Sequence, residues 1–439
     1  MLDQYADSTR PPPYEDYLRR AINGRSWPDT ERFTYAVGDT VRWRWLNASF
    51  EVHPMHLHGF HYSVVATGDG RTETVRPEGR RPLVVTELMP PGGTFRMEWT
   101  PTRAGNWIFH CHILDHIVPA VERDEAARAA DEHDVEQHAL DAMAGLVVGV
   151  TVTDGRPETE EPPDHEIRLL AQESAEVAGR RSRGFVLQQG AEPPADSVAV
   201  PGPPLLLTRG EATAITVVNR LSEMTTVHWH GLELESVYDG VAGWSRTGQR
   251  IAPLVMPGDS FTVRIRPPRS GTYIYHSHMD ETDQLAQGLH GPLLVLDPGD
   301  VFDPQSDRPI VIGGQPEGGY PVTINGSVEP PPMTFEVGKP YRLRFVQITR
   351  GVTVDIALAY GTELLRWRAV AKDGADLPPG MQQMSDARLR TNTGETFDFI
   401  WVPAVAGDAS LSVRYERFFE RQEVVLTQTL RARTSPPSH

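Results

Sequence analysis

The sequence predicts an all-β protein: three related Greek-key β-sandwich domains, with a short helical insertion in the first. Three observations predict it. Gly and Pro each number 38 of 439 residues, about one residue in six together against ~12% in an average chain, which suits a turn-rich β protein. Three segments place an alternating run behind a turn glycine: VGDTVRWRWLN from Val37, RGEATAITVVN from Arg209 and VGKPYRLRFVQ from Val337. Period-two alternation of this kind marks a half-buried strand. A second trio starts at Pro91, Pro257 and Thr393 and keeps two glycines 13 residues apart in every copy: Gly92/Gly105, Gly258/Gly271 and Gly394/Gly407.

The elements follow in chain order. Residues 1–21 precede the first repeat and have no assigned partner. The first domain covers 22–154, the second 165–298 and the third 306–430, each a usual domain size. The acidic, Pro-rich stretch DGRPETEEPPD from Asp154 reads as the first linker. Within the first domain the repeat pattern breaks over about 117–142. That stretch is rich in Ala, Glu and Arg, and a helical insertion is expected there.

Composition excludes several classes of function. With 42 basic and 59 acidic residues the net charge is −17, so a nucleic-acid partner is not expected, because phosphate binding needs a basic face. One cysteine permits no internal disulfide. No run approaches the ~18 apolar residues of a membrane span. The start, MLDQYADSTRPPPYEDY, has no apolar h-region, so no signal peptide is read from it.

The histidines carry the chemistry. Four His-x-His pairs occur: His56/His58, His110/His112, His228/His230 and His276/His278. One such pair is an ordinary sheet motif. These four share a register. His56 and His228 each lie 18 residues after the first repeat glycine, Gly38 and Gly210. His110 and His276 each lie five after Gly105 and Gly271. The third repeat has Ile356, Leu358, Ser412 and Arg414 at the same offsets, so it keeps the framework without ligands. Residues i and i+2 of a strand face the same way, so two domains can present four imidazoles each to a shared interface. Neutral imidazoles suit copper, zinc or iron, and copper(II) binds tightest in the divalent series. Cys111 lies between His110 and His112 and therefore points to the opposite face, into its own domain. With His53 and His116 it forms a His₂Cys blue-copper set. The second domain has Thr225 and Ser277 at the positions of His53 and Cys111. One such site is expected, beside one eight-histidine cluster.

The motifs HPMHLHG from His53, HCHILDH from His110, HWHG from His228 and YHSH from Tyr275 resemble the four copper motifs of the multicopper oxidases, the laccase family. The resemblance implies three cupredoxin-like domains and four copper ions: one type 1, one type 2 and two type 3. It makes His53, Cys111 and His116 type 1 ligands, and His56 and His228 the type 2 pair. His58, His110, His112, His230, His276 and His278 become the type 3 ligands. It implies an oxidase that takes electrons singly from a small-molecule reductant and reduces O₂ to water, exported to the periplasm or secreted. Export without a leader makes an incomplete N-terminus the working explanation. Asp239, in VYDG, matches the acid that the family uses near the type 2 copper and is the candidate proton carrier. Asp280 and Glu281 are weaker candidates, and Asp115 a supporting residue.

Two departures from the family pattern are visible. The domain order is circularly permuted, with the HCH domain first, the HWHG domain second and the copper-free domain last. The cluster can then close within one chain, giving a monomer, or between chains, giving a homotrimer. The axial position of the type 1 site is interrupted: ten residues after Cys111 stands Val121, whereas MAGLVVGV from Met143 resembles the segment that normally follows. Met143 is the expected axial ligand. His133 and His138 in the insertion are expected to be silent. The leading reading is a laccase-like oxidase of phenols or aromatic amines. The alternatives are a Cu(I) or Fe(II) metallo-oxidase and a non-enzymatic copper-binding or structural protein. A copper nitrite reductase is disfavoured, since it needs three histidines at one type 2 copper rather than four His-x-His pairs.

Overall fold

The computed structural model describes residues 20–118, 139–140, 143–155, 161–175, 181–279, 283–314, 320–417 and 422–434. The N-terminal segment to residue 19, most of the expected helical insertion with Val121, His133 and His138, and the candidates Asp280 and Glu281 lie outside the described residues.

The described residues are nearly all β. Its described strands form six main sheets and one two-stranded ribbon. In the first pair of sheets, one runs Arg32–Ala36, Val147–Thr153, Gly105–Cys111, His53–Leu57 and Thr86–Met89. It faces a sheet built on Val41–Leu46, Thr94–Trp99 and Tyr62–Gly68. Trp43, Trp99, Trp107 and Phe109 fill the space between them. The second pair sets Leu205–Thr208, His290–Leu296, Gly271–Ser277 and Val227–His230 against Arg183–Leu187, His165–Glu173, Thr213–Asn219 and Ser260–Ile265, over a core that includes Trp229, Tyr275 and Ile215. The third pair closes on Trp367, Phe345 and Trp401. Each core is an inner face of alternating strands, which is why the period-two pattern marks them in sequence.

The repeated glycines have a backbone reason. Gly38, Gly210 and Gly338 have φ of 90°, 81° and 82°, and Gly105, Gly271 and Gly407 have φ of 148°, 155° and 153°. Side-chain-bearing residues rarely adopt these values. The spacing is therefore a record of one turn geometry used three times.

The three pairs of sheets meet one another. Trp244 from the second donates its indole N–H to the Trp107 carbonyl of the first at 2.9 Å. Leu114 of the first donates its backbone N–H to the Arg350 carbonyl of the third. Arg344 of the third reaches Thr272 Oγ1 of the second at 2.9 Å. No described helix is long and apolar enough to cross a membrane.

Candidate metal centre

The site is built from two strand pairs. His53–Leu57 and Gly105–Cys111 are antiparallel neighbours in which His56 stands opposite His110. Val227–His230 and Gly271–Ser277 repeat the arrangement, with His228 opposite His276. Directly opposed residues come within about 5 Å, and alternation adds the second imidazole of each pair on the same face. The two faces pack together. The His56 ring stacks on His230 at 3.8 Å and the His58 ring on His228 at 3.9 Å.

Two triplets of the eight imidazoles share no residue, and His58 also groups with His56 and His228. His58, His110 and His278 gather their ring nitrogens in one triplet, and His112, His230 and His276 in the other. His56 Nε2 and His228 Nε2 lie 3.3 Å apart. Each triplet mixes both repeats, so neither repeat can form one alone.

The outer nitrogens are held by oxygen atoms. His56 Nδ1 donates to the Val85 carbonyl at 3.0 Å and His228 Nδ1 to the Asp239 carbonyl at 2.7 Å. His110 and His276 donate to the Cys111 and Ser277 carbonyls, both at 2.8 Å. His58 Nδ1 donates to Asp239 Oδ2 at 2.8 Å. A carbonyl or carboxylate acceptor fixes the proton on that nitrogen and leaves the other with a lone pair directed inward. Accordingly, His112 Nε2, His276 Nε2 and His230 Nδ1 are buried without a hydrogen-bond partner among the described residues. Buried lone pairs left unsatisfied are costly unless something binds them. The donor set therefore fits a cation that takes neutral imidazole. Burial is the largest cause of depressed pKa in His56, His58, His112, His230, His276 and His278, with repulsion from neighbouring imidazoles adding to it, and all six stand well below the ordinary range. Burial brings His110 down to about 4.

Cys111 pairs with Met55 across the same strands, and its side chain enters the hydrophobic core of the first pair of sheets. Its Sγ lies 3.3 Å from His116 Nδ1 and 3.6 Å from His53 Nδ1, and those two nitrogens are 3.1 Å apart. Burial pushes the thiol pKa well up, so ionisation there needs a bound cation. The outer edges of the two imidazoles are also occupied. Ser49 Oγ lies 2.8 Å from His53 Nε2, and Glu51 Oε2 lies 3.5 Å from His116 Nε2. The contact with His116 holds the Glu51 carboxyl down at about 2.

Met143 is partly buried against the core that contains Cys111. The chain returns next to His116 after the insertion: Ala144 N–H donates to the Ile117 carbonyl at 2.8 Å and Leu146 N–H to the His116 carbonyl at 3.0 Å. Asp239 is fully buried, with Oδ2 on His58 and Ser245 and Oδ1 3.4 Å from His228 Nδ1 with no hydrogen bond among the described residues. Asp115, next to His116 in the chain, is exposed and paired with Arg350 at 2.6 Å.

Reading the sequence missed the residues behind the ligands: Ser49, Glu51, Thr86, Asp373 and Thr393. Thr86 Oγ1 lies 3.1 Å from both His56 Nδ1 and His230 Nε2. Thr393 Oγ1 lies 3.3 Å from His112 Nδ1. The one sequence signal was Asp373-Gly374, a hairpin-turn dipeptide, which says nothing about what the turn meets.

Known proteins share parts of this sequence. A family model described as multicopper oxidase matches residues 3–120, and a second with the same description matches 197–300. A copper resistance protein A homolog of Pseudomonas syringae pv. tomato is 38% identical over 96 residues, covering 22% of this chain and 15% of that protein. Multicopper oxidase MCE of Talaromyces pinophilus is 40% identical over 97 residues, again 22% and 15%. Laccase ustL of Ustilaginoidea virens is 39% identical over 105 residues, 24% and 15%. The chain thus spans only about one-seventh of the length of these relatives. Among solved structures, a multi-copper oxidase from Pseudomonas thermotolerans superposes with a TM-score of 0.46 at 21% identity, over 63% of this chain and 66% of that one. The two matched models cover just over half of the sequence, and each contains two of the four histidine pairs: the chain belongs to the multicopper oxidase family.

Proposed function

We propose that the chain is a laccase-like multicopper oxidase, coupling one-electron oxidation of phenolic or aromatic reductants to four-electron reduction of O₂ to water. Its units would be the domains 22–154, 165–298 and 306–430. The observation that carries the reading is the placement of Cys111 between His110 and His112, one histidine in each triplet. The backbone of three consecutive residues then joins the His₂Cys set to the histidine cluster. His53, Cys111, His116 and Met143 would hold one copper, His56 and His228 a second, and each triplet of histidines one of the remaining two. Bound copper supplies the redox chemistry, accepting single electrons at the cysteine set and reducing O₂ at the histidine cluster.

The chain's own residues do the rest. Asp239 orients His58 through Oδ2 and His228 through its carbonyl. Its buried Oδ1 is the atom that would hold and pass a proton at the cluster. The rim beside His116 favours an uncharged organic donor. Glu51 and Asp115 are carboxylates that would attract a metal cation, but each carries an arginine, Arg20 at 3.2 Å and Arg350 at 2.6 Å. Leu46 precedes the Asn47–Glu51 turn and Phe50 lies within it, and they are 63% and 59% exposed. Apolar surface with compensated charge suits an aromatic ring better than a small cation.

The test is oxygen uptake by copper-loaded protein, with a methoxyphenol compared against Cu(I) and Fe(II). Faster turnover of the phenol is expected. No uptake with any of the three sinks the oxidase, and preference for a metal ion sinks the substrate class. Met143→Leu tests the axial assignment. Losing the thioether is expected to raise the type 1 potential, read by redox titration of the blue absorption. An unchanged potential and spectrum removes Met143 from the ligand set.

A further inference from the structure

The third repeat has no histidine pair, yet it reaches the cluster. Its strands Arg366–Lys372 and Ala375–Asp376 are joined by the two-residue turn Asp373-Gly374. Both residues have positive φ, 50° and 76°, the geometry that selects Asp-Gly or Asn-Gly in a tight hairpin. This turn enters the junction where the two histidine-bearing repeats meet. A Cβ on Gly374 would lie 2.1 Å from the Tyr273 ring of the second repeat, and Tyr273 donates its hydroxyl to the Gly374 carbonyl at 3.2 Å. On the other side His61 Nε2 of the first repeat donates to the Asp373 carbonyl at 2.8 Å.

Asp373 is 2% exposed. Its Oδ2 accepts the backbone N–H groups of Val85 and Thr86 at 3.1 and 3.0 Å, and its Oδ1 accepts that of Thr396 at 3.0 Å. The opposite side of the same Val85-Thr86 segment meets the cluster. The Val85 carbonyl accepts from His56 Nδ1, and Thr86 Oγ1 lies between His56 Nδ1 and His230 Nε2. One short segment thus meets opposite ring nitrogens of two ligands. His56 sets Nδ1 on the Val85 carbonyl and turns Nε2 inward. His230 sets Nε2 against the Thr86 hydroxyl and turns Nδ1 inward, the nitrogen found without a hydrogen-bond partner among the described residues. The surrounding charges are fixed as well. Lys372, one of two lysines in the chain, bonds Glu87 at 2.6 Å and Glu395 at 2.8 Å.

We propose that Asp373 of the histidine-free repeat is a positioning residue for the histidine cluster, anchoring Val85 and Thr86 so that His56 and His230 present their correct nitrogens. This rests on the oxidase reading for its consequence, but its geometry concerns the metal-free chain. The copper-free repeat then has a reason to be retained: it supplies the outer support of one ligand from each of the other two.

The test uses the full chain with Asp373→Asn, Asp373→Gly, Thr86→Val and Thr86→Ser. Asn and Gly both accept the positive φ of the turn, so the hairpin is kept while the carboxylate is lost. Nitrogen-15 histidine spectra of the metal-free protein report the tautomers. Titration with copper, followed by the type 2 electron paramagnetic resonance signal, reports affinity at the cluster. The expected result is mixed tautomers at His56 and His230 and a 10–100-fold loss of cluster affinity in the Asp373 variants and Thr86→Val. Thr86→Ser restores both, and the blue absorption of the Cys111 site is unchanged throughout. A merely structural role would lower the melting temperature without moving the tautomers, and that result overturns the proposal. Wild-type tautomers and affinity in the Asp373 variants overturn it too. A wild-type chain that shows no type 2 signal would instead defeat the oxidase reading, and the metal-free spectra would still judge Asp373.

Discussion

Replacing Cys111 with serine is expected to abolish the intense thiolate-to-copper(II) absorption and to lower bound copper from four to three per chain. O₂ uptake should fall by more than ~10³-fold, since removing one member of a set that acts as a unit costs orders of magnitude. The reason is the position of the residue. Cys111 is the chain's one cysteine, its Sγ meets both His53 and His116, and its backbone is continuous with His110 and His112 in the two triplets. A hydroxyl at this site is a hard, neutral donor and does not replace a thiolate. The cluster histidines do not contact the sulfur, so their three coppers should remain. Element analysis by mass spectrometry, together with the visible spectrum, checks this. A variant that stays blue, or that loses all four coppers together, would break the division into two separate sites.

The second large effect is the acid sensitivity of the metal-free protein. Seven of the eight cluster imidazoles have pKa values depressed below the ordinary histidine range, with burial as the leading cause. An unfolded chain takes up protons on these residues below about pH 6.5, while the folded chain keeps them neutral. The unfolded state therefore binds more protons, and stability falls as pH falls. The contribution is fully present above pH 6.5 and lost progressively below it. At pH 5.5 each such imidazole costs on the order of 1 kcal/mol of stability, so the set as a whole weighs several kcal/mol. That is comparable to the whole stability of an ordinary domain. Calorimetry of the metal-free chain between pH 7.5 and 5.5 should show a steep drop in melting temperature. Copper-loaded protein should melt higher at each pH but fall at least as steeply, because its liganded nitrogens are also proton-free when folded and take up protons once unfolding releases the metal. A copper-loaded form that melts no higher than the metal-free chain would mean that these imidazoles are not the ligands.

Both predictions draw on features that were legible before any coordinates. The all-β class was carried by glycine spacing, because each repeat glycine serves a positive-φ turn that other residues resist. The histidine set was legible because strand alternation converts i, i+2 spacing into a shared face, and the same rule sent Cys111 the other way, into the core. The outer supports were not legible. Asp373 is 287 residues from Thr86 and Thr393 is 281 from His112, and nothing local in the sequence relates such pairs. Glu51 is close to His53 in the chain, but its carboxylate serves His116, which the return of Leu146 holds beside it.

By itself the sequence determined which side chains carry the chemistry, the strand face each one occupies, and that the third repeat has lost them. These are consequences of local backbone geometry repeated along the chain. Only the tertiary structure decided how six of the imidazoles group into triplets, which ring nitrogens turn inward, and what the third repeat does at the junction. Those are set by packing between sheets far apart in sequence, where a hydrogen bond to a carbonyl or a threonine fixes a proton that no motif records.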